Sequence, residues 1–129
     1  MNIQTLDSGH RLAFDSGMER STDEGKINYL LTRDGPMFKR WAELLTRGAR
    51  MYSPRNWTKA SGEAEFMRFM ESASRHFEQW VNQALTGEPD GYDDDGNPFW
   101  EDHAAAVFFN VNGAEYVKEK MSGGKNGRV

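Results

Sequence analysis

Two stretches of the chain concentrate side chains that can bind a metal ion and act on a phosphate bond. One is the pair Arg75-His76, and the other is Glu101-Asp102-His103, which is followed by Asn110. Carboxylates and imidazoles are ligands of divalent cations, and a guanidinium group forms paired hydrogen bonds with phosphate oxygens. Water attack on a metal-bridged phosphate needs little more than such groups. The residue types therefore predict a site able to cleave a phosphoanhydride bond.

The spacing of these residues allows them to converge on one site. His76 lies at the edge of an apolar helical stripe, and His103 and Asn110 lie beside the apolar line of a later helix. If the two helices pack antiparallel, both polar flanks face the same cleft. The same residues also have a simpler interpretation. The histidines would then be boundary residues with satisfied hydrogen bonds, and Glu101 and Asp102 would stabilise the helix dipole.

A third polar group, Arg55-Asn56-Trp57, falls in a predicted loop after Tyr52 and Pro54. An aromatic ring and an amide can stack on a base and recognise it, as nucleotide sites require. Alternatively, Trp57 closes one end of a helical bundle and Asn56 caps the loop.

Three helices must position these groups. The first follows Asp34-Gly35-Pro36 and ends before Pro54, the second runs from about Ser61 to Leu85 with Gly87 as its stop signal, and the third covers about Phe99 to Met121. We expect an all-α antiparallel bundle, residues 28–121, between an irregular N-terminal arm, 1–27, and a flexible tail, 122–129. Strands have little support.

The apolar stripes predict which helix faces are buried. On the second helix, the stripe includes Phe69 and Phe77, which we expect in the core. On the third helix, the predicted inner line is Trp100, Ala104, Val107, Val111, Ala114 and Lys118.

The acidic loop before the third helix superficially resembles a calcium loop. With Gly96 at the obligatory glycine, Asp93 and Asp95 occupy ligand positions, but Gly91 stands where the first aspartate belongs. We therefore interpret the segment as a solvated insertion.

The composition of the chain restricts the classes of molecule that it can bind. The formal charge of −4 gives no basic field for duplex nucleic acid, and no apolar run can span a membrane. The absence of cysteine fits the cytoplasm. Aromatic residues make up 12% of a chain whose mean hydropathy is −0.82, so we expect self-association to a homo-oligomer.

The ordered motifs resemble the phage-encoded dATP/dGTP diphosphohydrolase N-terminal family. They comprise Gly25-Lys26, Tyr29-Leu30-Leu31, Arg47-Gly48-Ala49, Tyr52, Arg55-Asn56-Trp57, Ser72-Ala73, Arg75-His76, Glu101-Asp102-His103, Ala105-Ala106 and Asn110. The resemblance implies a helical domain, a phage or prophage origin and hydrolysis of purine deoxynucleoside triphosphates. By analogy it points to the MazG-like pyrophosphohydrolases, although the first two helices lack the ExxE and ExxD pattern by which those enzymes hold magnesium.

The resulting hypothesis is a nucleotide diphosphohydrolase that requires Mg²⁺ or Mn²⁺. Glu101 and Asp102 would bind the metal, and His76 or His103 would be a ligand or general base. Phosphates and nucleoside would be bound by Lys26, Arg55, Asn56, Trp57, Arg75 and Asn110. The alternative is a non-catalytic phage protein that binds a nucleotide-derived signal or a host protein, and a purely structural interaction module is a third possibility.

Overall fold

The computed structural model describes residues 1–123, which form two compact units, Met1–Asp34 and a second that begins at Gly35. The predicted flexible tail lies outside the described residues from position 124 onward. The first unit contains an antiparallel hairpin, β1 (Arg11–Ala13) and β2 (Glu19–Ser21), and a 3-10 helix over Tyr29–Arg33. The N-terminal arm therefore contains short regular elements that the sequence did not indicate.

The second unit is built from three helices, which confirms the predicted mostly helical bundle. They are α1 (Met37–Met51), α2 (Glu63–Thr86) and α3 (His103–Met121). The 3-10 helix Asn56–Lys59 joins α1 to α2, and a hairpin of β3 (Gly91–Tyr92) and β4 (Pro98–Phe99) joins α2 to α3. No helix among residues 1–123 is long and apolar enough to cross a membrane.

Side chains and a glycine set the helix ends. The Glu65 carboxylate accepts hydrogen bonds from the backbone N–H groups of Ser61 and Gly62 at 2.9 and 3.1 Å, and so caps the start of α2. Gly87 ends the same helix with φ of 70°, a left-handed conformation that favours glycine. The α3 helix begins four residues later than predicted, because Asp102 is its N-cap and accepts from the Ala105 N–H.

The core lies where α2 and α3 pack antiparallel. Phe69 of α2 contacts Phe109 of α3 edge-to-face, with ring centroids 5.9 Å apart, and lies directly over Gly113. Phe69 is half-buried there, whereas Phe77, which was also expected in the core, leaves 48% of its surface exposed. This part of the prediction was wrong because α2 contacts α3 through Phe69 and the flank that carries His76, whereas Phe77 lies on the other side of the apolar stripe.

The predicted inner line of α3 is also rotated from the observed one. Lys118 is exposed, as are Trp100 and Val111, which expose 56% and 49% of their surface. Ala114 is buried as predicted, and the other buried residues of α3 are His103, Ala105, Ala106, Asn110, Gly113 and Val117. Apolar side chains surround much of this helix, so its periodicity did not single out one face.

Gly113 is expected to be required for the contact between α2 and α3. A Cβ atom at this position would lie 2.6 Å from the Phe69 ring, so Gly113→Ala must displace that ring. We expect a loss of about 1–2 kcal/mol in unfolding free energy, measured by urea titration, even after the helix propensity gained by alanine.

Gly48→Ala provides the matched control, because nothing lies within 4 Å of its added Cβ in the interior of α1. This variant should gain up to about 1 kcal/mol. Equal stabilisation by both substitutions would show that Phe69 does not need the space above Gly113.

Candidate functional site

An open cleft of about 1040 Å³ runs between the helices of the second unit. The C-terminal half of α1 and the loop after it form one wall, and the opposite wall consists of α2, α3 and the residues just before α3. Seven of the ten predicted site residues line this cleft: Arg55, Asn56, Trp57, His76, Glu101, Asp102 and Asn110. The structure therefore brings together three groups that are distant in sequence.

The other three predicted residues lie elsewhere. His103 is buried directly behind His76, with 2% of its surface exposed. Arg75 is exposed and does not line the cleft. Lys26 belongs to the first unit, where its Nζ donates a hydrogen bond to Ser21 Oγ at 2.7 Å.

Three side chains form a continuous hydrogen-bonded relay, which we call the Asp90–His103–His76 relay. His76 Nδ1 lies 2.8 Å from His103 Nδ1, and His103 Nε2 lies 2.7 Å from Asp90 Oδ1. Asp90 is further held through its other oxygen, which accepts from Gln83 Nε2 and from the Glu101 N–H at 2.8 and 2.6 Å. An anionic carboxylate is thus connected through a buried imidazole to a histidine in the cleft.

The hydrogen-bond roles in the relay follow from the ionisation of Asp90. Burial opposes that ionisation, but hydrogen bonds from the Glu101 N–H, His103 and Gln83 outweigh it and lower the pKa of Asp90. An ionised carboxylate only accepts, so His103 donates through Nε2. In the tautomer of His103 that carries its hydrogen on Nε2 alone, Nδ1 accepts from His76 Nδ1–H. This leaves an unprotonated Nε2 on His76.

His76 also remains neutral more readily than an ordinary histidine. Burial, and next the adjacent His103, lower its pKa from the usual value of 6.5. A neutral imidazole with a free ring nitrogen is the form that can accept a proton or bind a metal.

Sequence reasoning missed Asp90, because the composition of the acidic loop is typical of a solvated insertion. The loop is an ordered hairpin, in which Asp93 Oδ1 accepts from the backbone N–H groups of Asp95 and Asn97 at 3.0 and 2.8 Å. The hairpin returns the chain so that the residue before β3 faces the start of α3. The Asp93-to-Gly96 turn signal was visible in the sequence and is typical of such a hairpin.

Asp102 lines the cleft but is already engaged. The Arg40 guanidinium forms a two-fold hydrogen-bonded ion pair with it, and the Arg40 Nε to Asp102 Oδ2 distance is 2.8 Å. The hydrogen bond from Arg40, and then the Ala105 N–H, hold the pKa of Asp102 below its ordinary value, although burial opposes the shift. This contact connects α1 to the start of α3.

Two further guanidinium groups line the cleft, on Arg47 and Arg55. Arg47, which belongs to the Arg47-Gly48-Ala49 motif, is near enough to Asp102 to lower the pKa of that carboxyl. Arg55 has φ of 63°, the only positive φ of a non-glycine among the described residues. Such left-handed backbone costs about 1–3 kcal/mol and is concentrated at functional sites.

The aromatic residues of the cleft differ in exposure. Trp57 is packed edge-to-face against Phe109 and Tyr116, with ring centroids 6.1 and 5.0 Å apart, and so also closes that end of the bundle. Tyr52 and Trp100 expose 70% and 56% of their surface at the cleft. They are the rings on which a planar base can stack.

Among residues 1–123, one group of side chains has the spacing of a metal site. Its members are Asp90, Glu101 and His103, whose candidate ligand atoms lie within 4.8 Å of one another. Asp90 and His103 are already hydrogen-bonded to each other in the relay. The Glu101 carboxylate is exposed and accepts no hydrogen bond from the described residues, so it is the most available of the three.

Comparison with known proteins gives one match. A family model described as dATP/dGTP diphosphohydrolase, N-terminal, matches residues 15–122, which include both the relay and the cleft. No curated protein and no solved structure matches the chain.

Proposed function

We propose that the cleft binds a purine deoxynucleoside triphosphate and hydrolyses it, because the chain belongs to the dATP/dGTP diphosphohydrolase N-terminal family. Membership supports a role in nucleotide hydrolysis in general. The finer reaction that we propose adds water across the α–β phosphoanhydride and releases a nucleoside monophosphate and pyrophosphate. The main support for this proposal is that the Asp90–His103–His76 relay ends at His76, which lines the same cleft as two guanidinium groups.

The triphosphate would lie near Arg47 and Arg55. Both groups line the cleft, whereas Arg75 does not. We therefore assign to Arg47 the phosphate-binding role predicted for Arg75. A guanidinium group remains charged at all working pH values and forms paired hydrogen bonds with phosphate oxygens. The charge neutralised there is the charge that opposes attack by water.

The nucleoside would lie against the aromatic residues. Tyr52 and Trp100 offer exposed rings for stacking, and Asn56 and Asn110 offer amides. Asn110 donates through Nδ2 to the Ala106 carbonyl at 2.8 Å, which leaves its Oδ1 as an acceptor for a base or sugar hydroxyl.

The attacking water would transfer its proton to His76. Its unprotonated Nε2 is the acceptor, and His103 and Asp90 stabilise the imidazolium that forms. In this scheme Asp90 and His103 are positioning residues, because they act through His76.

We also propose that the site binds a divalent cation, Mg²⁺ or Mn²⁺. The donor chemistry of Asp90, Glu101 and His103 fits such an ion, with Glu101 as the free ligand. Asp102, also considered as a ligand, would have to exchange its bonds with Arg40. A bound cation would polarise the phosphate and neutralise its charge. We also infer a phage or prophage origin and action in the cytoplasm.

A second function, binding without hydrolysis, is favoured by one observation. Two of the three candidate metal ligands are hydrogen-bonded to each other, so the site is complete without an ion. Such a protein would retain a nucleotide or nucleotide-derived signal intact and would not require metal.

The two functions are separated by incubating the purified protein with the four deoxynucleoside triphosphates and Mg²⁺ or Mn²⁺, followed by mass spectrometry. We expect monophosphate and pyrophosphate from the purine nucleotides. Bound but intact nucleotide would overturn hydrolysis and leave the binding protein. If no nucleotide is cleaved or raises the melting temperature, the cleft is not a nucleotide site.

Arg47→Gln tests the phosphate assignment, with Arg50→Gln as its control on the same helix. Arg47 lines the cleft and Arg50 does not. Loss of a charge-assisted hydrogen bond should weaken triphosphate binding about 10- to 100-fold in the first variant only. Equal binding by the two variants would contradict the assignment.

A further inference from the structure

Two rows of side chains, which we call seams, run along helix α2, and among residues 1–123 only the first packs closely on another helix. The first seam faces α3. Phe69 contacts Phe109, His76 contacts His103, and Gln83 is hydrogen-bonded to Asp90 just beyond β3. With Ser72 and Gln79, these positions follow one another at intervals of three and four residues.

The second seam has the same spacing and is largely uncovered. Its positions are Phe66, Met70, Ala73, Phe77, Trp80 and Ala84, at intervals of four, three, four, three and four. Met70, Phe77 and Trp80 leave 46%, 48% and 45% of their surface exposed. Alternation of threes and fours is the pattern by which one helix packs along another. Isolated exposed apolar residues need no explanation, but a continuous seam of this kind indicates a partner helix.

We propose that this second seam is the interface of a two-fold dimer, in which α2 packs antiparallel on α2 of a second copy of the chain. Each copy would contribute α2 and α3, so the dimer would contain a four-helix bundle with a continuous apolar centre. A two-fold axis requires the same surface on both copies, and a single helix face meets that requirement.

The sizes of the seam residues complement one another in this arrangement. With the two-fold axis at the level of position 75, whose own side chain lies on the side of α2 opposite the seam, Phe66 faces Ala84 of the partner subunit, and Ala73 faces Phe77 of the partner subunit. Large side chains thus meet small ones, which is how facing layers fill space without voids. Met70 faces Trp80 of the partner subunit in the remaining layer, where a flexible side chain adapts to a large ring.

The charges beside the seam do not oppose this pairing. The outer flank carries Met67, Ser74 and Val81, none of which is charged. The other flank is the seam already packed on α3. Because no like charges meet, two copies can approach along the whole helix.

The modest core of a single copy is a separate reason for a dimer. The buried hydrophobic residues among those described are four alanines and Val117. So little buried apolar volume stabilises a domain weakly, whereas pairing would enclose the Phe, Met and Trp side chains of α2.

Phe77→Glu tests the proposal, with Phe108→Glu as its control. The two phenylalanines expose 48% and 49% of their surface, but Phe108 lies on α3 outside the seam. By light scattering at tens of micromolar, roughly the usual working range, we expect a dimer for the wild type and for Phe108→Glu, and half that mass for Phe77→Glu. A monomeric wild type, or a dimeric Phe77→Glu variant, would overturn the proposal.

A cross-linking experiment remains informative if Phe77→Glu fails to fold. The chain has no cysteine, so single thiols can be introduced without background. Ser74→Cys would place two thiols beside the axis, and oxidised glutathione should join them into a disulfide-linked dimer. Arg75→Cys, on the exposed side of α2, should remain unlinked. Equal cross-linking of the two variants, or none by Ser74→Cys, would count against antiparallel pairing.

Discussion

Asp90→Asn is expected to reduce turnover of a purine deoxynucleoside triphosphate by about 100- to 10,000-fold, with little change in substrate affinity. The reason is the direction of the hydrogen bonds. The Glu101 N–H and Gln83 will continue to bind an oxygen at position 90, so the new amide NH₂ faces His103. His103 must then accept at Nε2 and donate at Nδ1, which moves the His76 proton to Nε2. The base in the cleft is lost although all three side chains of the relay stay in place.

This prediction rests on the proposed hydrolysis and has a readout beyond activity. Two-dimensional ¹⁵N spectra distinguish the two tautomers of a neutral histidine, and His76 should change from the Nδ1–H to the Nε2–H form in Asp90→Asn. His76→Ala should lose a comparable factor in kcat, and the double variant should lose little more, because both changes remove the same base. Additive losses, or an unchanged His76 tautomer, would show that the two residues act independently.

Asp102→Ala is expected to cost about 2 kcal/mol of unfolding free energy at neutral pH. The substitution removes the N-cap of α3, which is worth about 1 kcal/mol, and the hydrogen-bonded ion pair with Arg40. The Arg40 side chain is 40% exposed, so solvent screening keeps the contribution of the pair to about 1 kcal/mol. Asp94→Ala, in the exposed turn of the hairpin, should change stability by less than about 0.5 kcal/mol.

The cost of Asp102→Ala should depend on pH in a definite direction. The pKa of Asp102 in the folded protein lies below its ordinary value of 3.8. The ion pair therefore stabilises the fold above that value, and its contribution is lost as pH falls through the lower folded-state pKa. The difference in stability between wild type and variant, measured by urea titration, should be constant from pH 7 to about 5 and should shrink as the pH falls through and below 3.8. A difference that grows on acidification would assign the stabilisation to another group.

The sequence by itself determined the three helices and several of their ends. Apolar residues at helical spacing required α1, α2 and α3, and Gly87 ended α2 as expected because glycine adopts the left-handed cap without strain. The ordered motifs were sufficient to indicate the family. Helical spacing allowed the flank with His76 and the start of α3 to converge, and in the structure both line one cleft with the loop that carries Arg55-Asn56-Trp57.

Only the tertiary structure decided which faces meet and which polar partners are chosen. Periodicity shows that a face of α2 is apolar, but this helix has two adjacent seams, and packing on α3 used the one with His76 rather than the one with Phe77. Asp90 joined the relay because a hairpin turned the chain back on α3, and Asp102 was engaged by Arg40, 62 positions away in sequence. Such contacts depend on distances between elements, and the spacing of residues within one helix contains no information about them.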